Sequence, residues 1–173
     1  RYTGMRGQTI GKTMPHGYAG SYSRQPDMIV DSHPLEGDAA VAFGQAVVYG
    51  TSGAVLPFGA SSTADKFVGV AAREIKSATD YLNQNAGGYQ PGEAVSVLKR
   101  GRINVICQKG TPAIGGKVYV RIKTNVSHPK ALIGGFEAEA DSGNTVELTN
   151  AQWRGNADAN GVAELSILTM INA

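Results

Sequence analysis

Phe67-Val-Gly-Val-Ala71, Ala94-Val-Ser-Val-Leu98, Arg102-Ile-Asn-Val-Ile106 and Lys117-Val-Tyr-Val-Arg121 are four short runs rich in β-branched residues, closed off by turn-forming sequence such as Tyr89-Gln-Pro-Gly-Glu93. Val and Ile are stiff at χ1 and suit the pleated, half-buried surface of a sheet, and about five residues is the usual strand length. Upstream, Met28-Ile-Val30 and the stretch Val41 to Tyr49 continue the pattern, with Gly44 predicting a bulge or bend inside the second. Downstream, Phe136-Glu-Ala-Glu-Ala140 and Val146-Glu-Leu148 flank Asp141-Ser-Gly-Asn144, which predicts a hairpin. In the last run, Leu165, Ile167, Thr169 and Ile171 share one face and Glu164 and Ser166 the other, so a strand near the centre of the domain is expected. Ala71, Ile75, Ala78 and Leu82 recur at helical spacing, but Ser77, Thr79 and Asp80 weaken a helix, and an extended strand running into a loop is the preferred reading of 72–82. The chain reads as all-β, with at most one short helix.

Composition narrows the function. With 173 residues and 42% hydrophobic content the chain can bury a core as one domain without metals or bridges. The 23 glycines follow no three-residue period and so punctuate strands. A net charge of +2 is too small for a domain built to bind nucleic acid. That charge is unevenly placed: residues 1–26 hold Arg1, Arg6, Lys12 and Arg24 with no carboxylate, together with five glycines and two prolines. Such a segment packs poorly by itself, and we read 1–26 as an extended N-terminal arm and 27–173 as the body. Tyr18 and Tyr22 in the arm, and Trp153 in the body, are candidate contact anchors, because aromatics bury much area at small entropic cost, with placement in the core as the alternative. No apolar run approaches the ~20 residues that span a bilayer and no secretory signal is visible, so a soluble protein made in a cytoplasm, with no membrane partner, is expected.

Signatures of chemistry are missing. There is no Gly-x-Ser-x-Gly elbow and no P-loop. His33 and His128 both sit in Ser-His-Pro triplets that suit turns, and no ligand spacing recommends a metal site built from the histidines with Asp27 or Asp31. Glu137 and Glu139 at period two read as an outward acidic stripe, and Lys99-Arg-Gly-Arg102 as a charged turn between two strands, which Arg121 and Lys123 could extend into a basic patch. Cys107, the single cysteine, reads as a small core hydrophobe. No catalytic residue, metal or cofactor is assigned.

Met14-Pro-His-Gly-Tyr-Ala-Gly20 followed by Arg24-Gln-Pro-Asp-Met-Ile-Val-Asp31 resembles the opening of the structural cement, or capsid decoration, proteins of tailed bacteriophages. Phe43-Gly-Gln-Ala-Val47, Phe67 to Ala71, Tyr89 to Val97, Arg100-Gly101, Gly116-Lys-Val-Tyr-Val120 and Gly161 to Leu165 resemble that family's later strand and turn signatures in the same order. Residues 1–13 depart from it. The resemblance implies a β-barrel or jelly-roll-like sandwich that forms a dimer or trimer and decorates the outer surface of the capsid. There it would bridge neighbouring copies of the major capsid protein, with no direct contact to nucleic acid and no catalytic residues. Under that reading Arg1, Arg6, Lys12, Tyr18, Tyr22, Arg24 and Trp153 are the candidate contacts with capsid or neighbouring copies. A carbohydrate-binding or host-attachment sandwich, with Trp153 or tyrosines stacking on sugars, is the alternative, and a hydrolase built on His33, Asp31 and a serine stands behind it.

Overall fold

The computed structural model describes residues 15–74 and 87–169. Among these residues twelve strands form: β1 (Tyr22–Pro34), β2 (Val41–Ala42), β3 (Ala46–Tyr49), β4 (Val55–Pro57), β5 (Phe67–Ala71), β6 (Gly88–Tyr89), β7 (Ala94–Ile106), β8 (Val118–Arg121), β9 (Phe136–Glu137), β10 (Thr145–Leu148), β11 (Ala151–Trp153) and β12 (Val162–Ile167). The single helical element among them is one 3-10 turn at Ala64–Lys66. Most of the segment weighed as a helix, 75–82, lies outside the described residues.

A seven-stranded sheet runs β11-β12-β7-β5-β3-β4, with β1 joined to β7, and its strand pairs are antiparallel. A three-stranded sheet, β10-β8-β9, and a two-stranded piece, β2-β6, complete the fold. None of these sheets closes on itself. The chain is therefore all-β with the character of a sandwich, and the barrel form of the expectation is set aside.

The main core lies between the large sheet and the three-stranded sheet. Leu98, Ile103, Val105, Ala163, Leu165, Ile167 and Trp153 meet Val118, Val120, Phe136 and Leu148. Each buried Val, Leu, Ile or Phe contributes about 1.5–3 kcal/mol. A second cluster covers the other face at the β3–β5 end, where Val41 and Tyr89 cap Val47, Val68, Ala71, Val95 and Val97. With a core on each side, β5 is buried throughout, which explains its uninterrupted apolar sequence. Close packing of β5 against β7 also requires Gly69, since a Cβ there would stand 2.1 Å from the Leu98 carbonyl oxygen.

β7 is the spine of the molecule, and one glycine divides it. Before Gly101 the even-numbered Leu98 faces the main core; after it the odd-numbered Ile103 and Val105 do. Strict alternation cannot do this, so the strand must slip by one residue between them. Gly101 supplies the slip with φ +123°. Opposite it β1 bulges as well: Arg24 pairs with Arg102, the next paired residue is Ile29 against Arg100, and the intervening stretch contains a cis Gln25–Pro26 bond. A Cβ on Gly101 would meet Met28 Cβ at 2.9 Å.

Several expectations are corrected. Lys99 to Arg102 is not a turn between strands but the middle of β7, because Gly101 bends the chain without ending its pairing. Residues 136–137 and 145–148 do not pair as a hairpin; β8 lies between them, with Val120 opposite both Val146 and Phe136. Glu137 is no solvated stripe but fully buried, because its partner Arg121 is too. His33 stands in β1, not in a turn. The strand expected over 162–171 is central, between β11 and β7, but ends at Ile167.

Candidate functional site

Alternation along β7 and β12 puts Arg102, Asn104, Glu164 and Ser166 on the face turned away from the main core. The N-terminal segment covers part of this face. Gly20 N–H donates to the Asn104 carbonyl at 2.7 Å and Asn104 N–H to the Ser21 carbonyl at 2.9 Å, while the Asn104 amide donates to the His16 carbonyl at 2.9 Å. His16 N–H in turn donates to Asp158 at 2.9 Å. Residues 16–24 are thus tied to the body, and the expected boundary at Pro26/Asp27 falls inside β1.

Register then sets Arg24, Arg102 and Ser166 in one row across β1, β7 and β12. Glu164, 6% exposed, lies diagonal to Arg102 and receives both guanidiniums: Arg24 Nε at 3.1 and 3.4 Å from its two oxygens, and Arg102 Nη1 at 3.4 Å. Burial pushes the Glu164 carboxyl up, but hydrogen bonds from Ser23 and Arg24 and the charges of Arg24 and Arg102 outweigh it and hold the group below the ordinary range. Arg100 makes a forked pair with Asp27, both bonds 3.1 Å. Between them opens a groove of about 300 Å³, lined by Arg24, Arg100, Gly101, Arg102, Ser166 and Leu168 among others.

The remaining candidates separate. Tyr18 is 71% exposed and carries the Arg73 guanidinium 5.0 Å over its ring, with Phe43 5.4 Å away on the same cation. Tyr22 is half-buried, and its hydroxyl donates to Glu74, which also accepts from Ser96 at 2.9 Å. Burial, reinforced by that carboxylate, raises the Tyr22 phenol well above its ordinary range. Trp153 is fully buried in the main core, so its indole offers no surface to a partner or a sugar, and of its two expected placements the core is the one it takes. Arg1, Arg6 and Lys12 lie outside the described residues.

The sequence reading missed a buried ion cluster. Arg121 and Glu137, both 0% exposed, form a forked pair at 2.6 and 3.0 Å, and Arg121 Nη2 also donates to Asp141 at 2.9 Å. Asn125 donates to the same Asp141 oxygen at 2.9 Å. Those bonds, Asn125 first and then Arg121, bring the Asp141 carboxyl down to about 2. The cluster anchors both ends of the 122–135 loop, and Gln108 holds its tip by accepting from Leu132 N–H at 2.7 Å and donating to the Leu132 carbonyl at 3.0 Å. From this braced loop Val126 and Leu132 project 97% and 59% exposed. The only hint in the sequence was two charged residues within otherwise apolar strands.

The groups that a hydrolase reading would need are engaged elsewhere. Asp31, needed for a hydrolase with His33, is bound to Lys99 Nζ at 2.9 Å, and His33 Nδ1 is engaged with the Gly53 carbonyl at 2.7 Å. Burial pushes the Cys107 thiol up, away from reactivity. Among the described residues no three His, Cys, Asp or Glu side chains gather to hold a metal, and no helix is long and apolar enough to cross a membrane.

The surface features thus sit on a sheet-built body, with charged side chains on the β1–β7–β12 face and apolar ones on the 122–135 loop. The structural cement protein family, described by its members E217 gp24 and Pam3 gp6, matches residues 7–168, and the chain belongs to this phage family. Its role is accordingly structural. The fold is shared with a chain from the capsid of Myoviridae phage XM1, at 15% identity and a TM-score of 0.68, covering 93% of this chain and 96% of that one. No curated protein matches it in sequence.

Proposed function

We propose that this structural protein decorates the outer surface of a phage capsid as a dimer or trimer and clamps neighbouring major capsid subunits together after synthesis in the host cytoplasm. The family match over nearly the whole described body carries this reading. The shared fold with a capsid chain agrees with it. A protein that binds only the assembled lattice stabilises it by mass action, and repetition over many sites lets modest contacts add up. No chemistry is needed.

The contacts fall to the N-terminal segment and the projecting side chains. Arg1, Arg6 and Lys12 bring charge without a carboxylate, Tyr18 brings an exposed ring stiffened by Arg73, and Val126 and Leu132 bring apolar surface on a braced loop. Because residues 16–24 bond to β7 and β12, the informative truncation is 1–14. Adding the truncated and full chains to purified shells that lack this protein, and scoring occupancy by cryo-electron microscopy, tests the reading. Full occupancy on the outer face by the full chain, with reduced occupancy after truncation, is expected. A full chain that leaves the shells bare would end the proposal.

A further inference from the structure

Arg24 and Arg102 are directly opposed across the β1–β7 ladder. Like charges in that position destabilise a sheet. The carboxylate placed to relieve them is Glu164, and it is shared: Arg24 uses only Nε and Arg102 only Nη1. One arginine would have sufficed to pair a buried glutamate, so the second is surplus. The neighbouring Arg100 is matched by Asp27, but that pair is 45% and 76% exposed and so holds weakly. Among the described residues, three guanidiniums against two carboxylates leave the groove with one uncompensated positive charge.

Its shape adds to this. A volume of about 300 Å³ is room for roughly ten waters at ~30 Å³ each, suited to a side chain more than to a lone ion. Among the described residues no aromatic ring lines it, so bases find nothing there to stack on, and the 49% exposed Leu168 gives it an apolar edge. Guanidiniums fit carboxylates with two parallel bonds.

We propose that this groove receives an aspartate or glutamate side chain from a neighbouring protein subunit of the shell, the incoming carboxylate supplying the charge that Arg24 and Arg102 lack. This rests on the capsid-binding reading above.

The test uses the full chain and purified shells lacking it, in co-sedimentation from 50 to 300 mM NaCl. Leu168→Glu plants a carboxylate on the groove wall; it is expected to raise or preserve Tm while weakening shell binding about tenfold, equal to 1.4 kcal/mol. Arg24→Gln is expected to weaken binding by a similar factor and to flatten its salt dependence, with Arg24→Lys restoring part of both. If the wild-type chain binds shells and all three variants bind within twofold of it at every salt, the groove assignment is wrong while the capsid reading stands. If the wild-type chain does not bind, the capsid reading itself fails. Wild-type binding to a 20-nucleotide single strand as tight as to shells would also overturn the assignment, making the groove a phosphate site.

Discussion

Arg121→Met should destabilise the folded protein by about 3–5 kcal/mol, because it leaves a carboxylate buried without its partner. Glu137 is 0% exposed and takes two bonds from this one guanidinium, at 2.6 and 3.0 Å, so no water can replace what is lost. The same change frees Asp141 and the Lys123 carbonyl, which loses a 3.2 Å bond from Arg121 Nη1. Against a typical total of about 5–15 kcal/mol this is a large fraction. At roughly 2–4 °C per kcal/mol for a domain of this size, Tm should fall by about 6–20 °C. Replacing both partners, Arg121→Met with Glu137→Leu, should recover most of the loss, since two desolvated charges disappear together. The assay is urea unfolding followed by Trp153 fluorescence, a clean probe because this single tryptophan is fully buried. A single variant costing under about 1 kcal/mol, or a double variant as unstable as the single, would refute the argument that uncompensated buried charge dominates here.

Further outcomes follow from the same structure. Gly101→Ala forces a side chain into a left-handed backbone and against Met28, and should cost about 1–3 kcal/mol in the same unfolding assay; a change under ~0.5 kcal/mol would contradict the strand-slip role. Asp141 is lowered in the folded state from 3.8 to about 2, so its contribution is complete above the ordinary value and lost as pH falls through the lower one. Stability should therefore decline from pH 4 to 2, and Asp141→Asn should flatten that decline in acid titrations followed by circular dichroism; an unchanged slope would speak against it. Lys99, raised despite burial by its bonds to Asp31 and Tyr49, has the opposite sign: its contribution is complete below its ordinary 10.5 and fades as pH rises beyond it, a loss that Lys99→Met should abolish in alkaline unfolding curves. Cys107 should react with a thiol reagent at pH 8 at least about tenfold more slowly in the folded protein than in urea, and equal rates would show the thiol to be open.

The division between local and distant information is visible residue by residue. β-Branched runs and glycine punctuation belong to the chain itself, because steric limits on φ, ψ and χ1 act within a few residues; hence β5, the two arms of β7, β8 and β12 were legible, as was the break at Gly44. The family, too, was readable from ordered short motifs. Which strand lies beside which depends on pairing across long stretches of chain, and only the folded structure placed β8 between β9 and β10 or carried β7 through Lys99 to Arg102. The charges show the reason most directly. Glu137 and Arg121 look like surface residues in sequence, since burial of either alone would be prohibitive, and become core residues only when topology brings them together. The row of Arg24, Arg102 and Ser166 arises the same way, from registers that no local rule specifies.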